Sequence, residues 1–329
     1  MATLIAAQPI DMLAPAFFPG IAGSTLSGQA NQNEVTLVEP DGTISYLGGQ
    51  FAIGGSGQPA SGTIGAIAEE SQATGEIYAG TGFSVDYGAY AAFRDGGDNF
   101  GFVFAAMQGD DQIFGSTGAD RLVGFDGNDE IMGGPGNDDV NGNVGADTVL
   151  GGAGQDFVRG GRDDDLVRGG PGDDWHVNGN VGNDTVYGDG GSDTVFGGQN
   201  ADMLYGDYGD RSAFGGNDYL IGNLGRDSLY GEDGNDTLEG GAGFDFFFFG
   251  SDGDDDRIVD FSPDEDVLVI ENNINDSGLV EGIAFSAIQA RLSVVDGNTV
   301  FDLGAGDTVT IQGILPGQLQ ASHFTFYDV

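Results

Sequence analysis

Aspartate recurs at a fixed phase through the middle of the chain. Between residues 115 and 250, one aspartate stands sixth in each nine-residue unit of the pattern G-G-x-G-x-D-x-U-x, where U is aliphatic or aromatic. A carboxylate is a hard anionic ligand, and the short aspartate side chain is suited to tight turns. These phased carboxylates predict a row of cation sites, with the following candidate ligands: Asp120, Asp129, Asp138, Asp147, Asp156, Asp165, Asp174, Asp184, Asp193, Asp202, Asp218, Asp227, Asp236 and Asp245.

Glycine opens each unit. Glycine allows positive φ and lets backbone carbonyls crowd round an ion without a Cβ in the way, so thirteen first-position glycines are further candidate ligands. They are Gly115, Gly124, Gly133, Gly142, Gly151, Gly160, Gly169, Gly179, Gly188, Gly197, Gly222, Gly231 and Gly240. Gly206 also opens a unit. One extra residue precedes Gly179, and an insertion within 207–216 lengthens the step from Gly206 to Gly222.

The eighth position of the unit is apolar. Six residues of turn and three of strand would point this side chain into a thin core, with two units making one coil. Each unit then buries roughly one large apolar side chain, worth ~1.5–3 kcal/mol. Ordering the backbone costs about 1–2 kcal/mol per residue, so the coil is unfavourable by itself. The pattern therefore predicts an all-β parallel β-roll whose folding requires a cation.

The composition also calls for a cation and excludes several partners. The chain of 329 residues has a formal net charge of -44, and its nine basic residues are all arginine, so nucleic acid is excluded as a partner. Cysteine is absent, which rules out disulfides and thiolate metal sites. Oxygen-only ligands in flexible turns favour Ca²⁺ over Mg²⁺. If each site needs units i and i+2, the fourteen units allow at most about 12 calcium ions.

This repeat resembles the RTX family, the glycine-rich repeat proteins of bacterial type I secretion, over residues 109 to about 250. The resemblance implies a calcium-binding β-roll, a partnership with the type I secretion machinery and an extracellular or cell-surface location. The apolar N-terminal stretch lacks a basic residue before Arg94, so we expect no conventional signal peptide. No apolar run approaches the ~20 residues of a membrane span.

The flanks predict β-rich caps. Residues 1–108 form the N-terminal cap, residues 109–250 the roll and residues 251–329 the C-terminal cap. In the first cap, Pro40-Asp41-Gly42 predicts a hairpin turn, with further strands to residue 107 and a short helix near 87–94. The C-terminal cap resembles that of serralysin-type RTX proteins, and its tail "FTFYDV" resembles their secretion signal.

Three segments depart from the repeat. Asp163 replaces the fourth glycine of its unit, which predicts a strained turn or an added ligand. The extra residue near Trp175 and His176 leaves the eighth position open between His176 and Val177; a bulge with two partly exposed side chains is favoured over a functional centre. The insertion within 207–216 is interpreted as a surface loop.

No catalytic constellation stands out. His176 and His323 are the only histidines and neither lies in H-E-x-x-H, while G-x-S-x-G is absent. We therefore expect a non-enzymatic, secreted calcium-binding protein with a structural role at the cell surface or in the matrix, open to self-assembly into a layer or filament. The alternative is an adhesin or binding module for a surface glycan or protein. A small hydrolase or polysaccharide-modifying enzyme is a third hypothesis.

Overall fold

The computed structural model describes residues 109–115, 117–207, 215–251 and 254–328, together with the backbone of six strands before residue 109. The chain divides into two compact units, Met1–Gly151 and Gly152–Val329. The boundaries expected near residues 108 and 250 stay a prediction. Among the described residues, no helix is long and apolar enough to cross a membrane.

The first unit opens with an antiparallel sheet in the strand order β2-β3-β4-β5-β6-β1. The predicted hairpin is confirmed, because β3 and β4 pair antiparallel with Val38 opposite Ile44. The strands expected around residues 61–68 and 75–85 are also confirmed, whereas those near residue 100 and the helix near 87–94 lie outside the described residues. The bounds are β1 (Thr3–Ala6), β2 (Thr25–Leu26), β3 (Glu34–Val38), β4 (Ile44–Ile53), β5 (Pro59–Glu70) and β6 (Ile77–Asp86).

This sheet leads into the roll. Strand β1 pairs parallel with β7, with Thr3 opposite Gln112, and β7 pairs parallel with β9. On the second sheet β10 pairs parallel with β8. The bounds are β7 (Gln112–Phe114), β8 (Arg121–Asp126), β9 (Glu130–Pro135) and β10 (Asp139–Val144), after which β11 (Thr148–Ala153) begins.

The second unit also contains a coil of parallel strands. Each strand of its repeats pairs parallel with the strand two places further on, so successive strands alternate between two sheets. The predicted parallel β-roll is therefore confirmed. The bounds are β12 (Phe157–Arg162), β13 (Leu166–Pro171), β14 (His176–Val181), β15 (Thr185–Gly190), β16 (Thr194–Gln199), β17 (Met203–Tyr205), β18 (Tyr219–Gly225), β19 (Ser228–Tyr230), β20 (Thr237–Glu239), β21 (Ala242–Gly243) and β22 (Phe246–Phe249).

The core of the coil takes one large apolar side chain from most strands, while β8 and β22 also bury Val123, Phe125 and Phe249. The eighth-position side chains are 0% exposed, as the alternation of the strand predicts. They are Leu122, Ile131, Val140, Val149, Val158, Val167, Val177, Val186, Val195, Leu204, Leu220, Leu229, Leu238 and Phe247. Val177 thus fills the eighth position that the sequence leaves open, and His176 lies outside the core.

The parallel pairing continues past Gly250. Strand β23 pairs with β20 and β24 with β22, and β27 and β28 add one more parallel strand to each sheet. The hairpin predicted around Asp296-Gly297-Asn298 is confirmed between β25 and β26. The bounds are β23 (Asp255–Ile258), β24 (Val267–Glu271), η1 (Ile274–Asp276), α1 (Phe285–Gln289), β25 (Leu292–Val295), β26 (Asn298–Gly304), β27 (Asp307–Ile311), η2 (Pro316–Gln318), η3 (Ala321–His323) and β28 (Phe324–Tyr327).

Candidate calcium-binding turns

The sixth-position aspartates all lie at the same place, where each turn enters its strand. None of the fourteen is more than 4% exposed, although aspartate rarely lies buried without a partner. The apolar eighth residue, two positions further on, anchors the strand and fixes where the carboxylate lies. The repeat therefore places its sixth-position aspartates inside the turns, whereas other acidic residues of the region are exposed.

At eleven of the fourteen positions, one oxygen of the carboxylate accepts a backbone N–H from the neighbouring coil. The Oδ1 atom of Asp193 accepts the backbone N–H of Asp174 at 2.7 Å, and Oδ1 of Asp174 accepts that of Asp156 at 2.7 Å. The same bond recurs across the insertion, where the backbone N–H of Asp202 donates to Oδ1 of Asp227 at 2.9 Å. These bonds align corresponding turns and leave the second oxygen for another partner.

The second carboxylate oxygen, Oδ2, is buried in most of these turns. Oδ2 is buried without a hydrogen-bond partner among the described residues at nine of these positions. They are Asp129, Asp174, Asp184, Asp193, Asp202, Asp218, Asp227, Asp236 and Asp245. A buried ionised oxygen without a partner is costly, so each turn needs a positive charge or a proton.

First-position glycines border the space beside this oxygen. A Cβ placed on Gly188 would lie 2.5 Å from Oδ2 of Asp193 and 2.5 Å from the carbonyl oxygen of Gly206. A Cβ on Gly222 would meet Asp227 and the carbonyl of Gly240 at the same distances. We call this space, between the Oδ2 of one unit and the first-position carbonyl two units on, the cradle. Only glycine leaves the cradle open.

Without a cation these carboxyl groups hold protons tightly. Burial raises the pKa of Asp193 to about 8, against the lowering effect of the N–H bond from Asp174. Burial likewise raises the pKa of Asp236 to about 9, with the carboxylates of Asp256 and Asp218 adding to it. The turns therefore disfavour their own charged form until a cation neutralises it.

The ligand set fits calcium. No group of three or more acidic or histidine side chains forms a metal cluster within the part of the chain that the structure describes. Each cradle instead combines carboxylate and backbone carbonyl oxygens, the hard and variable ligand set that Ca²⁺ accepts. The aspartate Oδ2 and the carbonyls of the first-position glycines would hold the ion. Their individual roles as ligands stay a prediction.

Four further residues belong to these rows and are not among the ligands predicted from the nine-residue repeat. Gly206 opens a unit, and a Cβ placed there would meet Oδ2 of Asp218 and the carbonyl oxygen of Gly231, so it borders a cradle as the other first-position glycines do. Asp256 and Asp266 accept the N–H groups of Asp236 and Asp245 at 2.9 and 3.0 Å. Their signal was the D-x-U triplet, which persists after the nine-residue phase is lost.

Asp111 is the fourth residue missed. Its N–H donates to Oδ1 of Asp129 at 2.8 Å, so the row begins before the first full unit. The half unit "GDDQIF" carries the same D-x-U triplet and could have revealed it. The aspartate row is therefore longer than the glycine pattern that marks it.

The departures from the repeat have local explanations. Asp163 takes the left-handed backbone that a fourth-position glycine would take, with φ 77°, and its side chain is exposed. It is therefore a strained turn residue and does not extend into the cradle. His176 is half-buried and stacks on Phe157 with ring centroids 4.2 Å apart, while Trp175 is 57% exposed. Most of the insertion lies outside the described residues.

Comparison with known proteins supports the repeat. Residues 106–140, 141–175, 176–210 and 212–247 each match the RTX calcium-binding nonapeptide repeat. Among solved structures, the R3 subunit of the AlgE6 mannuronan C5-epimerase from Azotobacter vinelandii is 29% identical, with a TM-score of 0.33 over 42% of this chain and 80% of that one. The comparison with curated proteins gave no match.

The extracellular lipase LipA from Serratia marcescens is also similar. It is 17% identical with a TM-score of 0.32, and the alignment covers 67% of this chain and 40% of the lipase. The nonapeptide matches, the parallel coil and the buried aspartate row agree with one another. Residues 106–247 thus form an RTX calcium-binding β-roll.

Proposed function

We propose that this chain is a secreted, non-enzymatic protein that folds on meeting extracellular calcium and serves a structural role at the cell surface or in the matrix. The main support is the row of buried Oδ2 atoms, as in Asp174, Asp193 and Asp227, that have no hydrogen-bond partner in the part of the chain that the structure describes. Two such charges per coil cannot be stabilised by a core that takes one large apolar side chain from most strands. Calcium supplies the missing charge, so binding free energy is folding free energy.

The export route follows from that linkage. Extracellular calcium modules bind at ~10⁻⁴–10⁻³ M, which is far above cytosolic calcium. The chain would remain unfolded inside the cell, pass through the type I secretion machinery and fold outside. At most about 12 ions in the repeats would offset about half of the formal charge of -44, leaving a soluble acidic protein.

Circular dichroism of the whole chain tests the calcium-linked folding. We expect a strong β signal in millimolar calcium and its loss in excess chelator, with recovery when calcium is restored. Magnesium at the same concentration serves as the control and should restore little of the signal, because it keeps its waters in octahedral sites. A β signal unchanged by chelator would contradict the proposal, as would binding at nanomolar calcium.

An apolar edge strand supports the structural role. Strand β25 lies at the end of its sheet within the described residues, and its Val294 and Val295 are 55% and 52% exposed. Exposed apolar edge strands promote association between chains. Electron microscopy should show ordered polymers in calcium, and Val294→Lys should reduce them without reducing the β signal. Monodisperse monomers at high concentration would contradict assembly.

A binding module is the second candidate. Phe157, Trp175, His176 and Phe196 form an outward aromatic cluster on neighbouring coils of one sheet. The ring centroid of Phe157 lies 4.8 Å from that of Trp175 and 4.2 Å from that of His176, and the ring centroid of His176 lies 4.8 Å from that of Phe196. Such platforms suit stacking against an apolar ligand face. Trp175 fluorescence on titration with extracellular polysaccharides would separate the two roles. A saturable change that is lost in Phe196→Ala favours binding.

A further inference from the structure

The last repeat turn, Gly240–Asp245, is followed by a coil without the nonapeptide pattern. Counting sites by units i and i+2 leaves this turn without a partner. The structure supplies one, because β23 follows β20 in the same sheet with Ile258 opposite Leu238. The turn after β23 therefore lies where the next repeat turn would lie.

Asp260 occupies the first position of that turn, where the repeats have glycine. The N–H of Val259 donates to the carbonyl of Leu238 at 3.0 Å, which fixes this register. The Asp260 carboxylate extends back to the preceding coil and accepts the N–H groups of Gly240 and Gly241 at 3.0 and 2.7 Å. A side chain thus stands where a glycine would otherwise leave space.

Asp245 borders the same glycine. It is 0% exposed, and its Oδ2 has no hydrogen-bond partner among the described residues. A Cβ on Gly240 would lie 2.6 Å from this oxygen. Asp245 and Asp260 therefore both contact the surroundings of Gly240, one from its own turn and the other from the next coil.

The pair lacks a counter-charge. Burial raises the pKa of Asp245, and the carboxylates of Asp260 and Glu265 raise it further. Burial also raises the pKa of Asp260, against the two N–H groups that it accepts. No described arginine forms a salt bridge with either residue. Two backbone N–H groups bind one carboxylate and leave Oδ2 of Asp245 without compensation.

We propose that Asp245 and Asp260 together hold a calcium ion at the end of the repeats, in a cradle that uses a second carboxylate in place of a further glycine turn. Asp266, at the end of the same turn, shows where the row ends. Its Oδ2 accepts the N–H of Ser262 at 2.7 Å, so that cradle is closed by the chain itself. The terminal site rests on the proposed function, since it assumes calcium binding by the repeats.

Native mass spectrometry of the whole chain in calcium tests the site. Asp245→Asn and Asp260→Asn should each bind one ion fewer than the wild type, and the double variant should also bind one fewer, because both residues hold the same ion. Asp264→Asn, an exposed carboxylate in the same turn, is the matched control and should keep the wild-type count. An unchanged count in Asp260→Asn, or a loss of two ions in the double variant, would overturn the site.

The test separates the two proposals. A wild type that binds no calcium overturns the proposed function, whereas a wild type with many ions and an Asp260→Asn variant with as many overturns only the terminal site. If Asp260→Asn does not fold, wild-type crystals grown with terbium give the answer. An anomalous peak between Asp245 and Asp260 is expected, and its absence beside peaks at the repeat turns would overturn the proposal.

Discussion

The repeats and the C-terminal cap share one strand pattern, but their turns differ. Both place an aspartate two residues before a fully buried apolar side chain, as in Asp193 with Val195 and Asp266 with Leu268. In the repeat, Oδ2 of Asp193 has no hydrogen-bond partner among the residues that the structure describes, whereas in the cap Oδ2 of Asp266 accepts the N–H of Ser262. A short strand of this kind is therefore compatible with either metal-dependent or metal-independent turns.

The hydrophobic cores of the two regions also differ, because the cap buries more apolar side chains in one place than the repeats do. The repeat buries one large apolar side chain from most strands, whereas the cap gathers larger groups into one cluster, with Phe301 against Phe324 at 5.5 Å between ring centroids and Ile274, Leu279 and Ile311 fully buried. Apolar burial at about 25 cal/mol per Å² favours the thicker core. We infer that the cap folds without ions and that the repeats do not.

Lowering the pH should partly restore the stability that the repeats lose when calcium is removed. In the metal-free roll the pKa of Asp193 is raised to about 8 and that of Asp236 to about 9, against ~3.9 in an unfolded chain. Protonation therefore stabilises the metal-free fold, and this contribution is lost as pH rises through 8.

Fluorescence of the one tryptophan, Trp175, follows the repeat region. In chelator the folded signal should be larger at pH 5.5 than at pH 8.5, and calcium affinity should change the opposite way, because binding must displace protons. A chelated protein that unfolds further on acidification would contradict the buried-carboxylate explanation.

A methyl group in a cradle should have the next largest effect. Gly188→Ala places a carbon 2.5 Å from Oδ2 of Asp193 and from the carbonyl of Gly206, so we expect a loss of about 1–3 kcal/mol in calcium and of one ion. A Cβ on Gly317 in the cap would have no described atom within 4 Å, so Gly317→Ala serves as the control. Thermal unfolding in calcium compares the two variants. Equal melting temperatures for Gly188→Ala and Gly317→Ala would contradict the claim that the repeat turns need an open cradle and the cap turns do not.

Asp193→Asn should have a smaller effect whose sign depends on calcium. The amide oxygen can still accept the N–H of Asp174, but one anionic ligand is lost, so the variant should bind about one ion fewer and melt a few degrees lower in calcium. In chelator at pH 8 it should be no less stable than the wild type, because a buried charge has gone. Destabilisation in both conditions would indicate a purely structural role.

The sequence predicts the repeats better than the caps. A period of nine fixes the turn, the strand and the buried eighth position at once, and the coil from Leu122 to Phe247 follows it. Asp256 and Asp260 could not be found in that way, because spacings change after Gly250 while hydrogen bonds between coils preserve the register. Likewise β1 pairs with strands more than 70 residues away, a long-range pairing that no local pattern indicates.

Hydrogen exchange of the whole chain, resolved by segment in calcium and in chelator, tests the central claim most directly. We expect amides in 117–207 and 215–245 to be protected in calcium and to exchange rapidly in chelator, while β26 and β27 of the cap keep most of their protection. Equal protection of the repeats in both conditions would contradict the claim that calcium is what folds them.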